Sequence, residues 1–431
     1  MPELAGLADD ALLLRLQRGA FDYLVEFSNS QNGLVADTSR AESPSSIAVV
    51  GFALSCYPIA VENGWMSRAD AAGRVLRTLR FFSNSSQTDC PDATGYKGFY
   101  YHFLDMQSGT RVWQCEISLI DTALLIAGIL VTSVYFDGAG AEAEIRSLSE
   151  SLYRRVDWHW AESGTATVWQ GWKPECGFFH YGWEGYNEAT ILYILGLASP
   201  TYPLAQHAYA SWRLTYQWEN LLGQDLLYSG PLFTHLFSHA WIDFREIKDE
   251  FMRKRGCDYF ENTQRTVALH REYGRRNPRG FKAYGKNFWG ITAGDGPGVK
   301  ELRESGRDLR FFGYMSRGVP YGPDDGTIAP WAMPATVAFN AQAALAGTRH
   351  ILQRYPMVCS QDRFSSGFNP TLQTKEGGWL SQGWYGLDQG LLTMMIENHR
   401  SGMIWKLTRR SPHFIAGLQR AGFTGGWLDG E

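Results

Sequence analysis

Apolar residues recur at three- and four-residue spacing through most of the chain, the signature of helices that bury one face. The period predicts helices over 7–28, 45–63 and 67–83, the second opened by Ser43-Pro44-Ser45-Ser46 and the third capped by Ser67 with Asp70 at its third position. It returns at 116–136, 141–157, 187–198, 203–220, 239–253, 258–275, 334–354, 386–400 and 410–421, which makes twelve helices. Between them the pattern changes. Residues 98–113, GFYYHFLDMQSGTRVW, alternate aromatic and polar positions about a Ser-Gly turn, as a β-hairpin does. A second non-helical insertion, TATVWQGWKPECGFFHYGW, precedes residue 187, and the Gly/Pro-rich stretch 281–330 keeps no period.

Serial helices of 12 to 22 residues with long aromatic and glycine-rich loops between them predict an all-α fold, an (α/α)6 barrel or toroid. Its β-hairpin and loop insertions would form a cleft at one end. An α-solenoid should show a repeat period, and the chain has no internal repeat. A length of 431 residues suggests about three domains at ~150 residues each, but a helical toroid of this size holds one core. Residues 1–431 therefore read as a single domain.

Composition narrows the classes. With 44% hydrophobic and 19% charged residues the chain is folded rather than disordered. Forty Lys+Arg against 44 Asp+Glu, with no long basic run, leave no electrostatic footprint for nucleic acid. The most apolar stretch, 119–136, carries Asp121, Thr122, Thr132 and Ser133 and reads as a buried globular helix, not a membrane span. The N-terminus places acids before its apolar run and lacks a basic segment, so it does not read as a secretory signal. The expected location is periplasmic or extracellular if a leader has been removed, and cytoplasmic otherwise. Six scattered cysteines without a C-x-x-C pair read as buried free thiols. Sixteen Trp and 21 Tyr beside many Gly, Asn and Asp suggest a cleft that stacks on flat, hydroxylated ligands.

Four acidic segments carry candidate chemistry. In WQCEISLIDTALLIAGIL, Glu116 stands where a hairpin gives way to a helix, and Asp121 lies in the first turns of that apolar helix. They are either acids aimed into a central cavity, or a dipole-stabilised carboxylate and a buried partner of an arginine. In GWEGYNEATILYILGL, Glu184 beside Trp183 is expected to be desolvated and held protonated, as a general acid requires, whereas Asn187 and Glu188 are placed to cap the next helix. In YGPDDGTIAPWAMP, Asp324 and Asp325 either bond sugar hydroxyls or close an Asp-rich turn. In GWLSQGWYGLDQGLLTMMIENHR, Asp388 and Gln389 open an apolar helix after an aromatic loop. His235 and His239 have a zinc-like spacing but no third ligand, and read as core or substrate-edge histidines.

Taken in order from about residue 20 to 408, several segments together resemble the glycoamylase-like domain family. That family includes glycoside hydrolase family 144 and the transglycosylating domain of cyclic β-1,2-glucan synthases. The segments are GFYYHFLDMQSGTRVW, CEISLIDTALLIAGIL, YRRVDW, GWKPECGF, GYNEATILYILGL, LYSGPLFTHLFSHAWIDFR, DYFENTQRTVALHREY, YGKNFWGITAGDGP, YGPDDGTIAPWA and GWYGLDQGLLTMMIENHRSGMIWKL. The resemblance implies an (α/α)6 barrel acting on β-1,2-glucan, and by motif position it points to Glu184, Glu116 and Asp388.

The expectation is an endo-acting, inverting hydrolase of linear β-1,2-glucan, with a transglycosylase or a non-catalytic glucan-binding protein as alternatives. Glu184 would be the acid and Asp388 or Glu116 the base. Trp113, Trp183, Tyr186, Trp384 and Tyr385 would stack on glucose rings, and Asp121, Glu188, His239, Arg245, Asp324, Asp325 and Gln389 would bond hydroxyls. No cofactor, metal or obligate protein partner is implied, because a carboxylate pair and a water suffice.

Overall fold

The computed structural model describes residues 2–304, 306–375 and 377–430. Ten helices of nine residues or more lie among them: α1 (Asp9–Glu26), α2 (Ile47–Glu62), α3 (Arg68–Asn84), α4 (Leu119–Tyr135), α5 (Ala141–Arg155), α6 (Thr190–Ala198), α7 (Tyr259–Arg276), α8 (Ala341–Arg354), α9 (Gly386–Arg400) and α10 (Pro412–Arg420).

They divide by how much of their surface is apolar. α2 buries every residue from Ile47 to Ala60, α6 buries all nine, and α4 and α9 are nearly as enclosed. A helix apolar all round must be covered all round. α2 packs on both α4 and α9, and α4 on α6. The amphipathic helices lie outside them, α1 on α9, α3 on α5, α5 on α4 and α10 on α6. Where α2 and α4 cross, their backbones touch. A Cβ added at Gly51 would stand 2.3 Å from the Leu124 carbonyl oxygen, and one at Gly128 2.1 Å from that of Gly51. One apolar cluster takes in residues from Leu4 to Leu428. No helix among the described residues is long and apolar enough to cross a membrane.

Short strands gather at the N-terminal ends of the enclosed helices. β1 (Ser45–Ser46) runs straight into α2 and pairs with β4 (Phe103–Leu104). β5 (Ile117–Ser118) runs into α4 and sits in the antiparallel order β2-β3-β5-β6-β7, with β2 at Gly95–Tyr96, β3 at Phe99–Tyr101, β6 at Gly171–Lys173 and β7 at Gly177–Phe178. The residues just before α2 and α4 are thereby held in register.

Several expected elements differ. The expected hairpin over 98–113 is only a bridged turn, Leu104 opposite Arg111, because β3 pairs with β2 and β5 and β4 with β1. The expected helix 203–220 stops at Trp212 and gives way to a hairpin, Trp218–Leu221 with Gln224–Leu227, whose turn places Leu222 and Gly223 at positive φ. The helix expected over 239–253 ends at Trp241; Asp243 engages Arg245, and a new helix begins at Glu250 under the Asp249 cap. That over 334–354 breaks before Asn340, whose side chain caps α8 by accepting from Ala343 N at 3.0 Å. The aperiodic stretch 281–330 contains a hairpin, Lys300–Glu304 with Arg307–Phe311. Of the six thiols, Cys90 and Cys176 are exposed rather than buried.

Candidate active site

The end of the molecule where these strands meet is built around His102. Its backbone N–H donates to the Glu116 carbonyl (2.9 Å) and its own carbonyl accepts from Ile47 N (3.2 Å), which ties the starts of α2 and α4 together. This places Nδ1 of the ring 2.9 Å from Glu116 Oε1, and Nε2 3.4 Å from Asp121 Oδ2. Ser118 caps α4, accepting from Asp121 N (3.2 Å) while its hydroxyl donates to Asp121 Oδ2 (2.5 Å). Burial alone would lower the His102 pKa, but the charge of Asp121 and the hydrogen bond and charge of Glu116 outweigh it and lift it to about 9. Glu116 answers in kind: its burial is overcome by His102, and its carboxyl lies below the ordinary value.

Asp121 has a second acidic neighbour. Glu188 precedes α6 and is held by its backbone, whose carbonyl accepts from Ser238 Oγ (3.0 Å) while the same hydroxyl accepts from Ile191 N (3.2 Å). Burial, with Asp121 adding to it, pushes the Glu188 carboxyl up to about 7.

On the other side of His102 lies a cavity of about 480 Å³ lined by Asp37, Arg40, Glu42, Phe103, Trp113, Tyr314, Tyr385 and Asp388 among others. Asp37 is fixed at both backbone ends, donating to Pro44 O and accepting from Gly386 N at the start of α9, both at 2.7 Å. Its carboxyl is raised by burial to about 6, with Asp121 adding to the rise and His102 and Arg40 opposing it. Asp388, in the first turn of α9, is buried and its Oδ2 has no hydrogen-bond partner. Burial, with Asp37 and Asp295 adding to it, holds this carboxyl well above the ordinary range. The site thus combines a cation, a carboxylate that it holds ionised (Glu116), and three that hold protons unusually tightly (Asp37, Glu188 and Asp388). A constellation of this kind supplies both a proton donor and a proton acceptor near neutral pH.

Residues 180–412, more than half of the chain, match the model of the Glycoamylase family. The chain belongs to the glycoamylase-like family. A curated relative is the exo beta-1,2-glucooligosaccharide sophorohydrolase (non-reducing end) of Parabacteroides distasonis, 24% identical over 96% of this chain. The chain spans only 58% of that relative's length. A crystal structure of a "putative glucoamylase" from Bacteroides uniformis is 28% identical, covers 98% of this chain and 99% of its own, and superposes with a TM-score of 0.87. The fold also matches an endo-beta-1,2-glucanase from Chitinophaga pinensis at 24% identity and a TM-score of 0.83, over 97% of this chain and 99% of that one.

Within this family member the residues singled out from the sequence fall into two groups. Glu116, Asp121, Glu188 and Asp388 converge, as do Trp113 and Tyr385, which line the cavity. Trp113 is 69% exposed. Glu184 does not have the environment expected of it. It stands exposed before Gly185, whose φ of 72° turns the chain, and Trp183 packs toward the core instead of shielding it. Neither Asn187 nor Glu188 caps α6 as expected: its N-cap is Ala189, without a side-chain cap, and Asn187 accepts from Ala189 N (3.0 Å) in the turn before the helix; the acid with the enclosed, proton-holding environment is Glu188.

The remaining residues are engaged by partners within the protein. Tyr186 is buried against His235 and Tyr259. Trp384 lies beneath the Arg363 guanidinium, 4.9 Å from the ring centre. Gln389 is fully buried, donating to Phe364 O. His239 is buried against Thr263 Oγ1 (3.1 Å), and burial lowers its pKa to about 3. Asp324 accepts from the hydroxyls of Tyr273 and Tyr284, and Asp325 pairs with Arg317 at 2.8 Å, both sealed from solvent. Arg245 binds Asp243 and covers the Trp405 ring, away from the acid cluster. Two members of the site, His102 and Asp37, carry no local signal. His102 sits inside an aromatic strand pattern, and its register opposite Glu116 was the only clue available.

Proposed function

We propose that this chain is a glycoside hydrolase of β-1,2-linked glucan, built as one (α/α)6 catalytic domain over residues 1–431. The enclosed helices α2, α4, α6 and α9, the amphipathic ones outside them and the continuous apolar core support that architecture. The observation that carries the chemistry is Glu188, a carboxyl half-protonated near pH 7 that Asp121 acts on, together with a cavity that Asp37 and Asp388 line. In this reading Glu188 delivers its proton to the glycosidic oxygen as the C1–O bond breaks. A water attacks C1 and gives its proton to the Asp37–Asp388 pair. Asp37, raised to about 6, is largely ionised near pH 7 and free to accept, while its charge helps to hold the proton on Asp388. Glu116 is already engaged by His102 and is a weaker choice for the base.

The linkage rests on relatives. One is named for β-1,2-glucooligosaccharides, and a solved structure named as an endo-beta-1,2-glucanase holds sophorotriose and glucose. Trp113 and Tyr385 offer ring faces on two sides of the cavity, which suits a sugar chain running through it. Incubation with linear β-1,2-glucan should release reducing ends, while starch, laminarin and cellulose oligosaccharides should be poor substrates. Equal or better activity on starch or laminarin would overturn the assignment.

A further inference from the structure

We propose that His102 is a resident imidazolium and a positioning residue: its two ring N–H groups hold the Glu116 and Asp121 carboxyls in place between the starts of α2 and α4 and so set the charge against which the other acids of the site exchange their protons. The effect on turnover rests on the glycosidase reading above; the charge state does not.

Hydrogen-bond geometry carries the argument. A neutral imidazole has one N–H and one lone pair, and each ring nitrogen of His102 faces a carboxylate oxygen, Glu116 Oε1 at 2.9 Å and Asp121 Oδ2 at 3.4 Å. A lone pair turned toward either carboxylate would be repelled. Asp121 Oδ2 already accepts the Ser118 hydroxyl at 2.5 Å, so it acts as an acceptor there. Both contacts are attractive only when both nitrogens carry a proton. The ring cannot swing away, because its backbone is tied at both N–H and C=O and its face lies on Phe103, 3.9 Å between centres and 13° from parallel.

The surrounding charges agree. Asp37 from the loop after α1, Glu116 before β5 and Asp121 of α4 act on the ring; beyond them Glu188 acts on Asp121, and Asp388 of α9 on Asp37. The other nearby cations, Lys173 of β6 and Arg40, act on Glu116 and Asp37. Carboxyl groups outnumber cations here. If all ionised together, like-charge repulsion would be severe, so some must stay protonated. The imidazolium biases which: Glu116, hydrogen-bonded to it, is held ionised, while Glu188 and Asp388 hold their protons more tightly.

The charge is read directly by NMR of wild-type protein labelled with ¹⁵N-histidine, the His102 ring being assigned through its contact with Phe103. Both ring nitrogens should remain protonated from pH 6 to 8. A neutral tautomer in that range overturns the proposal, whatever the substrate proves to be. The consequence is read from kcat and KM on linear β-1,2-glucan between pH 4 and 9. His102→Gln should lower kcat at least tenfold at pH 7 with KM changed less than about threefold. It should also move the acid limb of kcat/KM upward by about one pH unit, because Glu116 then holds its proton longer. His102→Lys, which restores a cation, should bring that limb part of the way back. A loss of equal size at every pH, not relieved by lysine, would reduce His102 to a packing residue and sink its role in proton placement.

Discussion

A carboxyl group enclosed beside another carboxylate keeps its proton to a higher pH than one in water, and at Glu188 that displacement has two measurable consequences. The first is kinetic. If Glu188 donates the proton, Glu188→Gln should reduce kcat on β-1,2-glucan by on the order of 10²-fold or more, whereas Glu184→Gln, on an exposed loop, should stay within a few-fold of wild type. The wild-type rate should fall as pH rises through about 7, and an aryl glycoside with a good leaving group, if accepted, should suffer less from Glu188→Gln. A dead Glu184→Gln beside an active Glu188→Gln would reverse the roles. The second consequence is thermodynamic. Between the ordinary value of 4.5 and about 7 the folded protein retains a proton that the unfolded chain has released, so stability falls as pH rises through that window. Glu188→Gln removes this cost. It should therefore melt at a higher temperature than wild type above pH 7, by an amount worth at most about 3 kcal/mol, and show no such gain below pH 4. The sequence placed both acids in one motif but assigned their environments the wrong way round. The adjacent Trp183 suggests shielding of Glu184, yet neighbours in sequence at a glycine turn need not be neighbours in space; Glu188 is the enclosed acid, with Asp121 of a distant segment acting on its carboxyl and Ser238 holding its backbone.

Helices were the legible part of the fold because their signal is local. α1, α3, α4, α5, α7 and α9 fall within a few residues of the periodicity, and Ser67 accepts from Asp70 N as the cap pattern requires. Strand pairing was not legible. β4 finds its partner in β1, nearly sixty residues earlier, and nothing in an aromatic alternation names that partner. Glycine tests the packing of these elements. Gly128→Ala drives a Cβ onto the Gly51 carbonyl at the crossing of α2 and α4, and should cost about 1–3 kcal/mol or more. Gly73→Ala, on the exposed side of α3 with nothing within 4 Å, should be stabilising by about 0.5–1 kcal/mol. Similar melting temperatures for the two variants would mean that the helices can spread apart. The Asp-rich turn makes the same point about charge. Asp325 and Arg317 are sealed from solvent, so Asp325→Asn should destabilise by about 3–5 kcal/mol while leaving KM of the folded enzyme unchanged. A large rise in KM with wild-type stability would instead return Asp325 to the substrate.

At the scale of the whole molecule the open question for catalysis is where along the glucan chain the bond is cut and with what stereochemistry. An exo enzyme closes its cleft at one end, so that only a chain terminus reaches the acids. Here the cavity has exposed aromatic walls on separate segments: Trp113, in the turn after β4, is 69% exposed, and Tyr314, after the Lys300–Phe311 hairpin, is 62% exposed and stacks on Tyr385. We propose that the cut is internal, because exposed aromatic walls on separate segments would bind the chain away from its ends. The acid and base sides are also distinct: Glu188 communicates with Asp121, and Asp388 with Asp37, while His102 stands between them. In the proposed mechanism the water attacks from the side of the Asp37–Asp388 pair while Glu188 protonates the leaving oxygen, a single displacement that inverts the anomeric centre. Early in the reaction, size-exclusion chromatography should therefore show a spread of intermediate oligosaccharides and a rapid drop in mean chain length, and NMR should show the α-anomer first. Trp113→Ala should raise KM for long chains roughly tenfold more than for short ones, since it removes one wall of the cleft and none of the acids. Sophorose as the sole product from the first time points, with long chains otherwise intact, would make the enzyme exo-acting like its Parabacteroides distasonis relative, and a β-anomer first would require a covalent intermediate on one of these carboxylates.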